Sequence, residues 1–112
     1  VVCASAAAFL KVLTTEIDYA TLPKIASIFY DALIAHPEVK EIRNIGLMFA
    51  IDMESAERVE RVVKRCLEKH MITFWFLSHP YSFRLAPPLT ITEEQARHFA
   101  QEIYQAIEET KA

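Results

Sequence analysis

The sequence predicts an α+β fold, in which helices cover a small, largely antiparallel sheet within one domain of residues 1–112. Three observations lead to this prediction. The 112 residues suit one domain of modest size. The apolar fraction of 53% is enough to build a hydrophobic core. Helical and strand-like patterns alternate along the chain in the order ααββαββα, which is typical of a two-layer domain.

Two helices are predicted at the start of the chain. Residues 2–15 are rich in alanine and apolar on every side, and such a helix is normally buried on several sides. The second helix is predicted to begin near Thr21, whose hydroxyl can act as the N-cap, with Pro23 in the first turn. It should end at His36-Pro37, because the residue before a proline disfavours the α conformation. Its apolar face comprises Leu22, Ile25, Ile28, Phe29, Ala32 and Leu33.

Two short strands are predicted next, at residues 39–45 and 47–53. Asn44 and Gly46 lie between them, and both residue types adopt the positive φ angles that a tight turn requires. Ser55 is the predicted N-cap of the third helix. That helix shows apolar residues at helical spacing, namely Val59, Val62, Val63, Cys66 and Leu67.

The last part of the chain predicts two strands and a closing helix. Residues 71–77 are dense in aromatic and β-branched side chains, and residues 82–86 form a short strand that two prolines end. Thr92 and Gln95 have the spacing of a capping box. The apolar face of the final helix comprises Ala96, Phe99, Ile103 and Ile107.

The composition excludes several classes of function. The chain has 12 basic and 15 acidic residues, a net charge of −3 and no basic stripe, which argues against nucleic acid as a partner. The single glycine, Gly46, excludes both the phosphate-binding P-loop and the glycine-rich dinucleotide motif. No apolar run approaches the roughly 18 residues of a membrane span, so we expect no membrane partner.

The cysteines and histidines predict neither a disulfide framework nor a metal site. Cys3 and Cys66 lie in apolar, helix-patterned surroundings, which is typical of reduced, packed thiols in a cytoplasmic protein. The four histidines have no metal-ligand spacing. No nucleophile, base and oxyanion donor occur at a recognisable spacing, so we expect neither catalytic nor metal-binding residues in this chain.

Arg84 is the candidate binding residue, because it interrupts the apolar segment of residues 83–89. Strand alternation sends Phe83 and Leu85 to one face of the sheet and Arg84 to the other. A guanidinium at the end of a stiff strand can bind both oxygens of a carboxylate. The alternative is a solvated arginine on an edge strand, which the spacing alone favours.

Two further groups have a functional and a structural interpretation. Phe74, Trp75 and Phe76 could line a pocket, but alternating aromatic residues in a strand more often fill the two faces of a sheet, and we expect them in the core. His79 and Tyr81 flank a proline in a turn and could act as acid and base, although turn residues of this kind are usually just solvated.

Three segments together resemble the C-terminal small domain of class-III pyridoxal-phosphate-dependent aminotransferases, the group with ornithine and acetylornithine aminotransferases. Residues 1–8 (VVCASAAA) resemble the small-residue helix that follows the family's large domain. Residues 39–48 (VKEIRNIGLM) are similar to its V-x-x-[IV]-R-G-x-G-L-M hairpin, with Asn44 and, further on, Ala50 in place of glycines. Residues 83–91 (FRLAPPLTI) are similar to its R-x-x-P-P-L-x-I motif. The matches occur in order over essentially the whole chain.

The resemblance implies a role for Arg84 and for groups outside this chain. In the family, the arginine of the R-x-x-P-P-L segment binds the α-carboxylate of the substrate, which makes Arg84 a substrate-binding residue. The lysine that binds pyridoxal phosphate belongs to the large domain, and no lysine here matches its motif. The implied partners are that large domain, an amino acid and a 2-oxo acid, and a second subunit in a homodimer.

The leading hypothesis is therefore the substrate-closing domain of an aminotransferase, inactive alone and forming the C-terminal part of a longer chain. The whole protein would transfer an amino group between an amino acid or amine and a 2-oxo acid such as 2-oxoglutarate. Two alternatives stay open. One is a stand-alone domain that binds a small carboxylate through Arg84, and the other is a dimerisation domain without catalysis, in which the first helix is buried against a second copy.

Overall fold

The structure, a computed structural model, describes residues 1–111 and confirms the predicted α+β class and the order ααββαββα. Its helices are α1 (Val2–Thr15), α2 (Leu22–Ile34), α3 (Ala56–Glu68) and α4 (Glu93–Glu109). Its strands are β1 (Glu41–Ile45), β2 (Met48–Asp52), β3 (Phe74–Trp75) and β4 (Ser82–Leu85).

The strands form one antiparallel sheet in the order β1-β2-β4-β3, and helices cover one of its faces. Ile42, Ile51 and Phe83 face each other across three strands on that inner face, and all three are buried. α2 packs on the same side, where the ring of Phe29 lies 5.8 Å from that of Phe49. α4 packs against α2 and α3, which closes a single core.

The opposite, outer face of the sheet carries the alternate residues of each strand. Its exposed or half-buried members include Glu41, Arg43, Met48, Ala50 and Arg84. Among the described residues, no helix packs on this face, so its side chains are available to something outside residues 1–111.

The helix ends agree with the predicted caps except at α2. The Ser55 hydroxyl accepts a hydrogen bond from the Arg58 amide at 3.2 Å, and Thr92 and Gln95 form the predicted capping box. Thr21 does precede α2, but its side chain makes no cap hydrogen bond there. Its hydroxyl donates to the carbonyl oxygen of Asp18 instead, so that part of the prediction was wrong.

The predicted apolar faces are largely buried, with two exceptions at their margins. The core includes Ile25, Phe29 and Leu33 of α2 and the valines and Cys66 of α3. Leu67 of α3 is 61% exposed and Phe99 of α4 is 38% exposed, contrary to the prediction.

The turn between β1 and β2 uses one positive φ angle and not two. Ile45 pairs with Met48, so Gly46 and Leu47 form a two-residue turn with Gly46 at φ +58°. Glycine at the first central position is the pattern of a type II′ hairpin turn. Asn44 was wrongly expected to share this role. It stays within β1, and its side-chain amide donates to the carbonyl oxygen of Gly46 at 3.1 Å.

The aromatic strand is shorter and more exposed than the sequence predicts. Only Phe74 and Trp75 pair with β4, and they are 49% and 48% exposed, while Phe76 is half-buried. The assignment of these residues to the core was therefore wrong. β3 is an edge strand, and the segment before it turns Thr73 inward, so the aromatic side chains lie at the rim of the sheet.

α1 has no buried residue and, within residues 1–111, contacts no other helix or strand. It extends from a body that, with α1, measures 48 × 29 × 23 Å. Cys3 is consequently exposed, which corrects the expectation of a packed thiol there, whereas Cys66 is buried as predicted. In the described part of the chain, no helix has both the length and the apolar character needed to span a bilayer.

Candidate functional site

Arg84 lies on the outer face of the sheet, in a row that crosses all four strands. Arg43 of β1 pairs with Ala50 of β2, Ala50 pairs with Arg84 of β4, and Arg84 pairs with Phe74 of β3. The Arg84 guanidinium carbon lies 5.4 Å from the centre of the Phe74 ring, a cation–π distance. Ala50 is small, so the space beside Arg84 on its other side is left open.

The charge of Arg84 has no counter-charge among the described residues. Within residues 1–111, no carboxylate oxygen lies within 4 Å of its guanidinium nitrogens, and it makes no hydrogen bond with another side chain. β4 is an inner strand of the sheet, so Arg84 is not the edge-strand arginine of the alternative interpretation. It is an exposed cation held on a rigid strand.

Arg84 borders an open groove of about 360 Å³ on the outer face. Arg43 lies on the opposite side of this groove. Ala50 lies between the two arginines, and the apolar side chains of Ile45, Met48 and Phe76 also line the groove. We call this space the Arg84 groove.

Arg43 is neutralised by Asp52. Its two terminal nitrogens bond the two carboxylate oxygens of Asp52 at 2.6 and 2.9 Å, and Glu41 lies 3.3 Å away. The Ser82 hydroxyl also donates to Asp52. Burial alone would raise the pKa of Asp52, but the hydrogen bonds from Arg43 and Ser82 outweigh it and hold that pKa below its ordinary value. The pair therefore stays ionised and matched at neutral pH.

His79 and Tyr81 lie beside this pair, outside the Arg84 groove. Their rings are 3.9 Å apart, and His79 Nε2 is 3.6 Å from the Asp52 carboxylate, too far for a hydrogen bond. Although Ser82, His79 and Asp52 are neighbours, the serine hydroxyl donates to the aspartate and not to the histidine. The arrangement therefore does not activate a serine nucleophile.

Two other places in the described residues lack the side chains that a reactive site needs. A second groove of about 380 Å³ lies between α4, Pro87-Pro88 and residues 70–73, and no Asp, Glu, Lys or Arg side chain of the described residues lines it. Burial raises the pKa of the Cys66 thiol to about 11, which keeps it protonated and unreactive. Among residues 1–111, no group of His, Cys, Asp or Glu side chains could hold a metal ion.

The structure thus places Arg84 where a ligand could reach it, and it adds residues that sequence reasoning missed. These are Phe74 beneath the guanidinium, and Arg43 with its partner Asp52. The sequence did contain a signal for the pair of Arg43 and Asp52. A two-residue turn at Gly46 sets the hairpin register, and that register brings the two residues onto one face of the sheet. No signal in one strand alone would have placed Phe74 opposite Arg84.

Comparisons with known proteins agree with this fold and identify the family of the chain. The family model described as "Aminotransferase class-III" matches residues 1–107. The chain is 32% identical over 78 residues to an acetylornithine aminotransferase of Haemophilus ducreyi, covering 70% of this chain and 19% of that one. It is 31% identical over 90 residues to a diaminobutyrate–2-oxoglutarate transaminase of Marinococcus halophilus, covering 80% of this chain and 21% of that one.

Solved structures match as well. An adenosylmethionine-8-amino-7-oxononanoate aminotransferase of Methanocaldococcus jannaschii superposes with a TM-score of 0.79 at 25% identity, over 98% of this chain and 28% of the other. An ornithine aminotransferase of Plasmodium yoelii gives a TM-score of 0.66 at 25% identity, over 80% of this chain and 23% of the other. The chain spans about a fifth of the length of the curated relatives. Because the family model covers nearly every residue, we conclude that this chain belongs to the class-III aminotransferase family.

Proposed function

We propose that this chain is the C-terminal, substrate-binding domain of a class-III aminotransferase and that it works as part of a longer protein. The observation that carries the proposal is the position of Arg84. It is an exposed guanidinium without a counter-charge, held over Phe74 on a rigid strand, and it begins the R-x-x-P-P-L segment. The small share of each relative's length that the chain spans supports a further, larger domain.

In this proposal, Arg84 binds the α-carboxylate of the amino acid or 2-oxo acid. The planar fork of a guanidinium matches two carboxylate oxygens, and two parallel hydrogen bonds fix the orientation of the substrate as well as its position. The rigid strand and Phe74 hold the fork in place before the substrate arrives. Such positioning keeps the reacting carbon of the substrate in one place relative to groups supplied by the rest of the protein.

The residues of this chain do not by themselves fit a site for pyridoxal phosphate, the cofactor that the family implies. Its lysines are exposed or half-buried on the surface, and none lines the Arg84 groove. Lys24, Lys69 and Lys111 pair with carboxylates. We therefore propose that residues outside this chain hold the cofactor, which supplies the electron sink for amino transfer.

The substrates and the assembly are part of the same proposal. The name of the Marinococcus relative supports 2-oxoglutarate as the 2-oxo acid, with its α-carboxylate on Arg84. The apolar side chains of α1 are exposed, which supports a contact of this helix with the large domain or with a second subunit in a homodimer. Cys3 on α1 is exposed and Cys66 in the core is buried, so the two form no disulfide with each other, which supports a cytoplasmic location.

The test is substitution of Arg84 in the protein as its gene encodes it, after the intact mass and the reading frame upstream of Val1 have been determined. Arg84→Gln should raise KM for the 2-oxo acid about 10- to 150-fold, because the substitution removes a charge-assisted hydrogen bond to the carboxylate. Arg84→Lys should recover part of that loss. Arg97→Gln, at an exposed arginine of α4, is the matched control. Unchanged KM values in Arg84→Gln would remove the proposed role.

A second candidate is a stand-alone domain that binds a small carboxylate, since both walls of the Arg84 groove lie within residues 1–111. A gene product of the mass of this chain alone would favour that candidate, or a dimerisation domain if the product is dimeric through α1. A product several hundred residues longer would favour the aminotransferase.

A further inference from the structure

We propose that Ala50 controls access to Arg84, and that a substrate carboxylate bound by Arg84 lies over Ala50. The inference rests on the carboxylate-binding role of Arg84 proposed above, and it adds the residue whose small size gives the carboxylate its room. Two observations carry it. One is the position of Ala50 beside Arg84, and the other is its size in relation to the rest of the sheet.

Ala50 lies on the open side of Arg84. On the outer face of the sheet, Arg84 has one cross-strand neighbour on each side, Phe74 of β3 and Ala50 of β2. The Phe74 ring covers the first side, with its centre 5.4 Å from the guanidinium carbon. The methyl group of Ala50 leaves the second side free, and the Arg84 groove lies there. A carboxylate that reaches the guanidinium from this groove therefore passes over Ala50.

The charges on the two sides of Ala50 place an anion at the Arg84 end. Arg43 is the next residue in the row and bonds both carboxylate oxygens of Asp52, at 2.6 and 2.9 Å. Arg84 has no carboxylate partner in the described part of the chain. The attraction for an anion is therefore greater at Arg84 than at the matched pair, and the space directly beside Arg84 is the space above Ala50.

The small size of Ala50 is unusual for its place in the sheet. Within residues 1–111, it is the one alanine in the four strands. Alanine is depleted in strands, where β-branched and aromatic side chains are favoured. No helix of the described residues packs on this face and requires a small side chain there. The stability of the sheet alone would favour a larger residue, so a need for space above the sheet explains the alanine.

A larger side chain at position 50 would take the place of the carboxylate. Directly opposite residues of neighbouring antiparallel strands have their Cβ atoms about 4.5–5.5 Å apart. Ala50→Val adds two methyl groups at that distance from Arg84, and they would displace a bound carboxylate by about 1 Å. A misplacement of that size can lower the rate about 100-fold.

The test measures KM for 2-oxoglutarate in the protein as its gene encodes it. Ala50→Val and its isostere Ala50→Thr should each raise that KM at least about tenfold. The melting temperature should not fall, because both new side chains have a higher strand propensity than alanine. Ala35→Val is the matched control, since it makes the same change at an exposed alanine after α2, outside the groove. It should leave KM unchanged.

A double substitution shows whether the effect of position 50 passes through Arg84. If Ala50→Val acts by keeping the carboxylate from Arg84, it has little left to remove once the guanidinium is gone. The KM of Ala50→Val with Arg84→Gln should then lie within about twofold of that of Arg84→Gln alone. Effects that multiply would overturn the inference, because they would show that position 50 acts independently of Arg84.

The outcomes separate this inference from the proposed function. If Ala50→Val and Ala50→Thr stay within about twofold of the unaltered KM while Arg84→Gln raises it, the role of Ala50 is overturned and that of Arg84 stands. An unaltered KM in Arg84→Gln would overturn both. A loss of stability in both Ala50 variants would assign the space to packing against residues outside this chain, and it would likewise overturn the inference.

Discussion

The arginines of this molecule differ in whether a carboxylate already neutralises their charge. Arg84 and Arg43 lie on the same face of one sheet, with only Ala50 between them across the strands. Arg43 is held in a bidentate pair, whereas Arg84 contacts an aromatic ring and no carboxylate of the described residues. Only the second arrangement leaves a cation for a ligand, which is why the functional proposals rest on Arg84.

Arg58 is a third arginine, and its role is structural. It is 4% exposed and bonds both carboxylate oxygens of Glu38, at 2.9 and 3.2 Å. It also donates to the carbonyl oxygen of Ile107 and to the hydroxyl of Thr110, at 2.5 Å each. The hydrogen bond from Arg58 lowers the pKa of Glu38, despite the opposing effect of burial. The cluster ties α3 to the C-terminal end of α4 and to the loop after α2.

Removing Arg58 should therefore destabilise the fold strongly. Arg58→Ala leaves the carboxylate of Glu38 without its two hydrogen bonds from Arg58 and removes one of the two donors to the Ile107 carbonyl oxygen. The free energy of unfolding should fall by about 3–5 kcal/mol. Urea denaturation followed by circular dichroism measures the change. Arg61→Ala is the matched control, because Arg61 is exposed one turn along the same helix and makes a single long bond at 3.3 Å. A similar small effect of the two substitutions would contradict this account.

At the scale of elements, helix starts depend on a few local bonds that can be tested one at a time. The capping box of α4 joins the Thr92 hydroxyl to the Gln95 amide at 3.2 Å and the Gln95 side chain to the Thr92 amide at 3.0 Å. Thr92→Ala should lower the free energy of unfolding by about 1 kcal/mol. Thr90→Ala, two residues earlier and without a side-chain hydrogen bond, should change it little. Thermal or urea unfolding of both variants checks this, and equal effects would rule out the cap as the cause.

Elements with strong local signals were predictable, and those shaped by their place in the sheet were not. The period of Val59, Val62 and Val63, with Ser55 before them, specifies α3 without knowledge of the rest of the chain. The strand around Phe74 and Trp75 has equally strong β propensity, yet it forms only two residues of an exposed edge. Edge position and partner length are set by the whole sheet, so composition alone could not predict them.

For the site, the sequence was sufficient to single out Arg84 but not its surroundings. The alternation of Phe83, Arg84 and Leu85 correctly predicted which of them is exposed. Whether a charge is free or paired depends on cross-strand register, which joins residues far apart in sequence, as Arg43 and Asp52 are. The proposed function of Arg84 remains a prediction until its substitution is measured.

At the scale of the whole molecule, His36 makes stability depend on pH. It is 1% exposed, accepts a hydrogen bond from the Glu38 amide at 3.1 Å, and lies 3.2 Å from a Glu108 oxygen without the alignment of a hydrogen bond. Burial lowers the pKa of His36 from its ordinary value of 6.5, although Glu108 opposes the shift. Between that lowered pKa and pH 6.5, the unfolded chain therefore binds more protons at this position than the folded chain does.

The free energy of unfolding should accordingly fall as the pH is lowered from about 6.5, by at most about 1.4 kcal/mol per pH unit from this group. Above pH 6.5 the same group should contribute no slope. Urea unfolding between pH 5 and 8 measures it, and His36→Gln should flatten the curve below pH 6.5. His98→Gln removes an exposed histidine as the control. The carboxylates with lowered pKa values, such as Asp52 and Glu38, add their loss only at more acidic pH.

Because α1 lies apart from the rest of the fold, the unfolding of this chain should not be fully cooperative. Within residues 1–111, this 14-residue helix contacts no other helix or strand, and the Tyr19 hydroxyl of the following loop donates to the carbonyl oxygen of its Leu13. Isolated helices of that length are marginal in water. For residues 1–111 we therefore expect α1 to unfold separately from the sheet and the other three helices. A substitution in α1 would leave the melting of the domain unchanged and act on whatever surface comes to cover that helix.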